Sequence, residues 1–232
     1  MYTREQIKQS QLGDLILSSK VKGQYKHIDA IYDAAIHIDG FQYNNYIASS
    51  NYAKNVVFRT NFFASELTDF ANKKVASIAC GSGLEIQKAY EMRPELTYYL
   101  DCYDVDENAL HALKSRNLPN INLIQCNAVT QPINKKYDFI YSVGLFDYLS
   151  LKLSKRLIKK LFNCLNEGGS LIIGNVDINA PDKERFMEQG LDWHLDYKSQ
   201  DELLTLGDGL DCDKFVFLDP MRIMNYLKLK KK

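Results

Sequence analysis

The chain has 232 residues, and 29 Lys and Arg stand against 29 Asp and Glu, so its formal charge is zero. That balance excludes bulk attraction to nucleic acid or to an anionic membrane as the main function. A hydrophobic share of 46% with 25% charged residues excludes a disordered chain. The length fits one α/β domain with additions. Cys80, Cys102, Cys126, Cys164 and Cys212 form no CxxC pair, so neither a disulfide scaffold nor a structural zinc site is expected, and no metal constellation is visible. The polar start and the lack of any run near the roughly 20 apolar residues of a membrane span lead to the expectation of a cytoplasmic chain without membrane insertion.

Taken in chain order, residues 1–72 read as helical. Tyr25, Ile28, Ile31, Tyr32, Ala35 and Ile36 follow helix spacing, and so do Val56, Val57, Thr60, Phe63, Ala64, Leu67 and Phe70. The pattern changes at Lys74. Residues 75–80 form a short apolar strand that runs into Gly81-Ser82-Gly83, and a helix over 84–92 follows. Strands are predicted over 96–105, 121–126, 137–143 and 170–174, with helices over 107–116 and 154–165 and a helix-ending turn at Asn166-Glu167-Gly168-Gly169. Such alternation predicts a parallel sheet covered on both faces. Residues 176–210 break the alternation as a polar, partly helical insertion. Strands over 214–218 and 222–229, joined at Asp219-Pro220, have no room for a crossover helix and are therefore predicted antiparallel.

Four signals fall at the C-terminal ends of predicted strands, where open parallel sheets bind ligands. Gly81-Ser82-Gly83 lets a ligand approach the backbone and the positive end of the next helix; the alternative is a tight turn without a ligand. Ile86 occupies the place of the third glycine of a dinucleotide motif, and no Gly-Lys-Ser/Thr follows, so an adenosine ligand without phosphates fits better than a pyrophosphate. Asp104 stands where an acidic residue accepts the two ribose hydroxyls of a nucleoside, with Asp106 read as a helix N-cap. Asn127 offers an amide to an adenine edge or, alternatively, shapes a turn. The run Ser142-Val143-Gly144-Leu145-Phe146-Asp147-Tyr148 closes the set.

This ordered set resembles the class I S-adenosylmethionine-dependent methyltransferases over about residues 74–230. The resemblance implies a seven-stranded Rossmann-like sheet with an antiparallel last strand. It also implies a helical cap or lid over 1–72 and an S-adenosylmethionine-binding catalytic domain over 73–232. It points to Arg59, Ala79, Gly81, Ser82, Gly83, Asp104, Val105, Asn127, Ala128, Val143 and Gly144 as the cofactor's contacts. Residues 144–149, with Phe186-Met187-Glu188 and the run from Asp192 to Lys198, are similar to a bacterial small-molecule subgroup. That subgroup includes methyltransferases of hydroxy fatty acid carboxylates, and Lys198 stands where it carries Arg.

The methyl acceptor is accordingly expected to be a small organic molecule such as a hydroxy acid or a phenol, with carboxylate transfer ahead of hydroxyl transfer. Tyr25, Tyr43, Tyr148, Arg185, Trp193 and Tyr197 are expected to bind it, Arg185 because a guanidinium fork matches a carboxylate. A carboxylate acceptor is already ionised, whereas a hydroxyl needs a base, for which His194 and Asp147 are the candidates. The alternatives are N-methylation of a small molecule and a non-catalytic, cofactor-binding partner subunit. Either a monomer or a homodimer is compatible with the sequence.

Overall fold

The structure is a computed structural model that describes residues 3–37 and 46–232. Seven strands form one sheet in the order β3-β2-β1-β4-β5-β7-β6. They are β1 (Lys74–Ile78), β2 (Tyr99–Asp104), β3 (Ile121–Gln125), β4 (Tyr137–Val143), β5 (Leu165–Val176), β6 (Cys212–Leu218) and β7 (Met224–Lys231). β1 to β5 pair in parallel, and β7 runs antiparallel to β5 and β6 on either side of it. The antiparallel hairpin expected from the Asp219-Pro220 joint is therefore present. Asp219, 2% exposed, ties that joint down by accepting from the backbone N–H groups of Met221, Ile223 and Met224.

Helices cover both faces of the sheet. α1 (Arg4–Lys8), α2 (Gln11–Ser18), α3 (Tyr25–Ile36) and α4 (Asn51–Asp69) precede β1; α5 (Leu84–Met92) and α6 (Glu107–Ser115) follow β1 and β2. α7 (Leu151–Asn163) leads to β5, and α8 (Gln200–Thr205) follows a π-helix over Lys183–Gly190. Ser10, Ser50 and Ser150 start α2, α4 and α7 by accepting a backbone N–H from three residues on, and Asp106 caps α6 from the Asn108 N–H at 3.0 Å. On α4, Val56, Thr60, Phe63, Ala64 and Leu67 recur at helix spacing and are buried. Phe63, Ala64 and Leu67 pack on the sheet with Val75, Phe139, Tyr141 and Tyr226. α7 covers the opposite face with Leu157, Ile158 and Leu161.

A third core lies beyond the C-terminal edge of the sheet. Ile7, Leu12, Ile16 and Ile31 from the first three helices meet Phe186, Met187, Leu191 and Trp193 from the insertion. The stretch of the insertion from Phe186 to Trp193 thus packs on the N-terminal helices, while Leu203 and Leu206 further along pack on the sheet.

The largest difference from the predicted boundaries lies between α7 and β5. The glycine pair at 168–169 does not end a helix, because α7 stops at Asn163 and β5 already begins at Leu165. Gly168 takes φ +72, and a Cβ on Gly169 would lie 2.8 Å from the Asn166 carbonyl oxygen. The pairing register between β4 and β5 shifts here, so the glycines form a bulge within the strand.

Candidate functional site

Sheet geometry brings the ends of β1, β2 and β4 to one edge, and a cavity of about 560 Å³ opens there between them and the helices α3 and α4. Leaving β1, the chain turns through Ala79, Gly81 and Gly83, all at positive φ. Ala79 is a non-glycine residue at φ +55, a conformation that costs about 1–2 kcal/mol. At Gly83 a Cβ would come within 2.6 Å of the Leu113 side chain, so glycine lets α5 start close to α6. Asp104 fixes this loop from the end of β2: its Oδ2 accepts from the Gly81 N–H at 2.8 Å and its Oδ1 from the Asp106 N–H at 2.9 Å. Each carboxylate oxygen accepts one of these bonds and retains capacity for another, and Asp104 lines the cavity.

Those features fit the adenosine end of S-adenosylmethionine. The backbone at Gly81 is open to close approach, and Asp104 offers an oxygen to each ribose hydroxyl. Val105, exposed and in the same wall, offers an apolar face for the base. The rest of the cavity is largely apolar, lined by Ile28, Ile31, Val56, Phe186, Met187, Leu191, Trp193 and Leu195.

Asp147 also lines the cavity. The 3-10 turn Phe146–Tyr148 after β4 carries it into the cavity wall, where it is 4% exposed. Its Oδ1 accepts from the Asn175 amide and from the Val176 N–H, each at 2.7 Å. Burial pushes its carboxyl up from the usual carboxylate range to about 6, against the opposing hydrogen bonds and the charge of Arg59. Lys198, 1% exposed, braces the turn by donating to the Phe146 carbonyl at 3.0 Å and to Asp196. The Asp196 N–H in turn donates to the Asp147 carbonyl at 2.7 Å.

Of the expected cofactor contacts, Arg59, Ala79, Gly81, Ser82, Gly83, Asp104, Val105, Val143 and Gly144 line the cavity. Asn127 and Ala128 do not. The Asn127 side chain shapes the turn instead, its Oδ1 accepting from the N–H groups of Val129 and Thr130 at 3.0 and 3.3 Å. Of the expected acceptor contacts, Tyr25, Tyr148 and Trp193 line the cavity, and the Trp193 indole donates to the Tyr148 hydroxyl at 2.9 Å. Arg185 and Tyr197 lie outside its wall, with Lys183 stacked 5.6 Å from the Tyr197 ring centre. Tyr43 lies outside the described residues. Of the two candidate bases the structure places Asp147 in the cavity and not His194, which is exposed on the insertion 3.5 Å from Asp192.

The sequence reading missed the polar partners that the fold brings to the glycine loop. Asp29 on α3 accepts from the Ser82 hydroxyl at 2.5 Å, and burial raises its carboxyl. Arg116, at the end of α6, donates to the Ser82 carbonyl at 2.6 Å and lies 3.5 Å from Asp29. Glu85, in the first turn of α5, accepts from the Tyr141 hydroxyl at 2.9 Å. A carboxylate two residues after Gly83 was visible in the sequence, but its partner lies on another strand.

Residues 75–169 match a family model described as a methyltransferase domain. No curated protein matches the chain. Among solved structures, a protein of Bordetella parapertussis described as a possible exported protein superposes with a TM-score of 0.79 at 16% identity. The match covers 97% of this chain and 84% of that one. Magnesium protoporphyrin IX methyltransferase of Synechocystis, solved with bound S-adenosylhomocysteine, gives 0.65 at 10% identity over 87% and 93%. Human N-acetylserotonin methyltransferase, in complex with S-adenosylmethionine, gives 0.58 at 11% identity over 89% and 66%. At these identities the likenesses establish the shared fold.

Proposed function

We propose that this chain, whose residues 75–169 match a methyltransferase domain model, is an S-adenosylmethionine-dependent methyltransferase that transfers the methyl group to an oxygen of a small organic acceptor. The observation that carries the reading is one cavity lined by the glycine loop and Asp104, by apolar side chains of the helices and the insertion, and by Asp147. S-adenosylmethionine, when bound, supplies a methyl carbon activated by its sulfonium. What remains for the protein is alignment and the exclusion of water.

The residues support those tasks as follows. Asp104 and the loop hold the adenosine end. Trp193, Tyr148, Met187 and Leu191 wall the acceptor's apolar body away from solvent. Asp147 Oδ1 is occupied by Asn175 and Val176, so Oδ2 is the oxygen left to take a proton from an acceptor hydroxyl as the new carbon–oxygen bond forms. A carboxyl raised to about 6 is mostly ionised at neutral pH yet basic enough to accept that proton. This gives a hydroxyl acceptor, a phenol above all, more support than the carboxylate acceptor that the sequence reading placed first.

The pH profile separates the two. With a hydroxyl acceptor, kcat/KM falls roughly tenfold per pH unit below about 6 as Asp147 becomes protonated, and Asp147→Asn abolishes that limb together with most of the activity. A profile flat from pH 5 to 8 with full activity in Asp147→Asn contradicts the base role.

A further inference from the structure

One polar residue interrupts the buried face of α4 where that face lines the cavity. Asn55 is 3% exposed and shares the cavity wall with Ala53, Val56, Val176, Ile223 and Met224. Its Nδ2 has no hydrogen-bond partner among the described residues, and neither has the hydroxyl of Tyr226, a fully buried residue of β7. The amide is near enough to that hydroxyl to act on it, but the two do not meet in hydrogen-bond geometry. The fold itself has no use for the amide. Ser50 already caps α4 through the Ala53 N–H at 3.1 Å, and leucine, close to asparagine in shape, is the better helix former and brings no unpaired donor into the core. A ligand oxygen that accepts from the amide relieves this cost.

We propose that Asn55 is a specificity-determining residue for the methyl acceptor, and that its Nδ2 donates to a carbonyl oxygen on the part of the acceptor remote from the hydroxyl that reacts at Asp147. The assignment rests on the reading in which a hydroxyl acceptor occupies the apolar part of this cavity. It narrows the acceptor class to hydroxy compounds, phenols above all, that carry a second, accepting oxygen. Two unpaired donors in one neighbourhood favour such an oxygen over a second hydroxyl or an amine, which would bring donors of their own.

Matched phenols test it: 3- and 4-hydroxyacetophenone carry a carbonyl, and 3- and 4-ethylphenol have a methylene in its place. Each is titrated calorimetrically into protein saturated with S-adenosylhomocysteine. Wild type binds the better ketone about tenfold more tightly than its ethyl counterpart. Asn55→Leu removes that preference, keeps the affinity for S-adenosylhomocysteine within about twofold, and melts about 2–4 °C higher than wild type because an unpaired buried donor is gone. Equal affinity of wild type for ketone and ethyl compound overturns the proposal, and so does an undiminished preference in Asn55→Leu. A variant that melts lower than wild type assigns the amide a structural role, and one that loses S-adenosylhomocysteine assigns it to the cofactor; either result overturns the proposal and leaves the methyltransferase reading standing. Wild type that binds S-adenosylhomocysteine but none of the phenols overturns the phenol reading and the proposal with it, and wild type that does not bind S-adenosylhomocysteine overturns the cofactor reading as well.

Discussion

Asp147 ties the stability of the chain to pH. Its carboxyl is raised to about 6 in the folded chain, from an ordinary value of 3.8. The folded state therefore binds the proton more tightly than the unfolded state. The stabilisation this gives is fully present below pH 3.8 and is lost as pH rises through about 6. Wild type is thus expected to lose about 3 kcal/mol across that window relative to Asp147→Asn, whose stability carries no such dependence. Urea unfolding of both proteins at pH 4 and pH 7 reads this directly, and parallel curves contradict the raised value. Residues of this kind differ in how legible they are. Gly81, Gly83 and Asp104 could be picked out from sequence because turn geometry and strand-end position constrain them locally. Asn127 had two readings from sequence because an amide at a strand end serves a turn as readily as a ligand, and here its Oδ1 accepts from two backbone N–H groups of the turn. His194 and its neighbour Trp193 part ways in the fold: the indole lines the cavity while the exposed imidazole lies beside Asp192.

At the scale of elements, α3 is the piece whose role depends on contacts that no local pattern announces. It carries Tyr25, Ile28 and Asp29 to the cavity, and Asp29 fastens it to the glycine loop through Ser82 and Arg116. We propose that this contact holds α3 as a cover over the cofactor. Asp29→Ala removes the acceptor for the Ser82 hydroxyl and is expected to speed S-adenosylhomocysteine dissociation about tenfold, since hydrogen bonds to charged groups contribute about 1.5–3 kcal/mol. Stopped-flow displacement measures the rate, and an unchanged rate contradicts the covering role. The glycine bulge at 168–169 teaches a complementary lesson. A glycine pair marks a place where the chain needs unusual freedom, but the sequence alone does not say whether that place ends a helix or kinks a strand.

For the whole molecule, the alternation of apolar strands with amphipathic helices was enough to anticipate a parallel sheet with an antiparallel hairpin at its end. Each strand needs burial on both faces, and each crossover needs a helix. The same reasoning anticipated that the signals after β1, β2 and β4 would converge, because parallel strands end on a common edge. It did not show that the N-terminal helices and the insertion after β5 share a core. Ile7 and Trp193 are distant in sequence, and only the folded chain brings them into one cluster. The apolar part of the cavity is built at that meeting, so its wall residues were the least legible part of the candidate site. No helix among the described residues is long and apolar enough to cross a membrane.

The central claim is that the loop and Asp104 bind the adenosine end of S-adenosylmethionine. Its most direct test is a calorimetric titration of S-adenosylhomocysteine into wild type and Asp104→Ala, with thermal unfolding of both as a check on folding. The account predicts one binding site per chain in wild type. In the folded variant, loss of the charged acceptor to the ribose weakens binding by roughly tenfold to a hundredfold. No binding to wild type, or equal affinity in the two proteins, contradicts it.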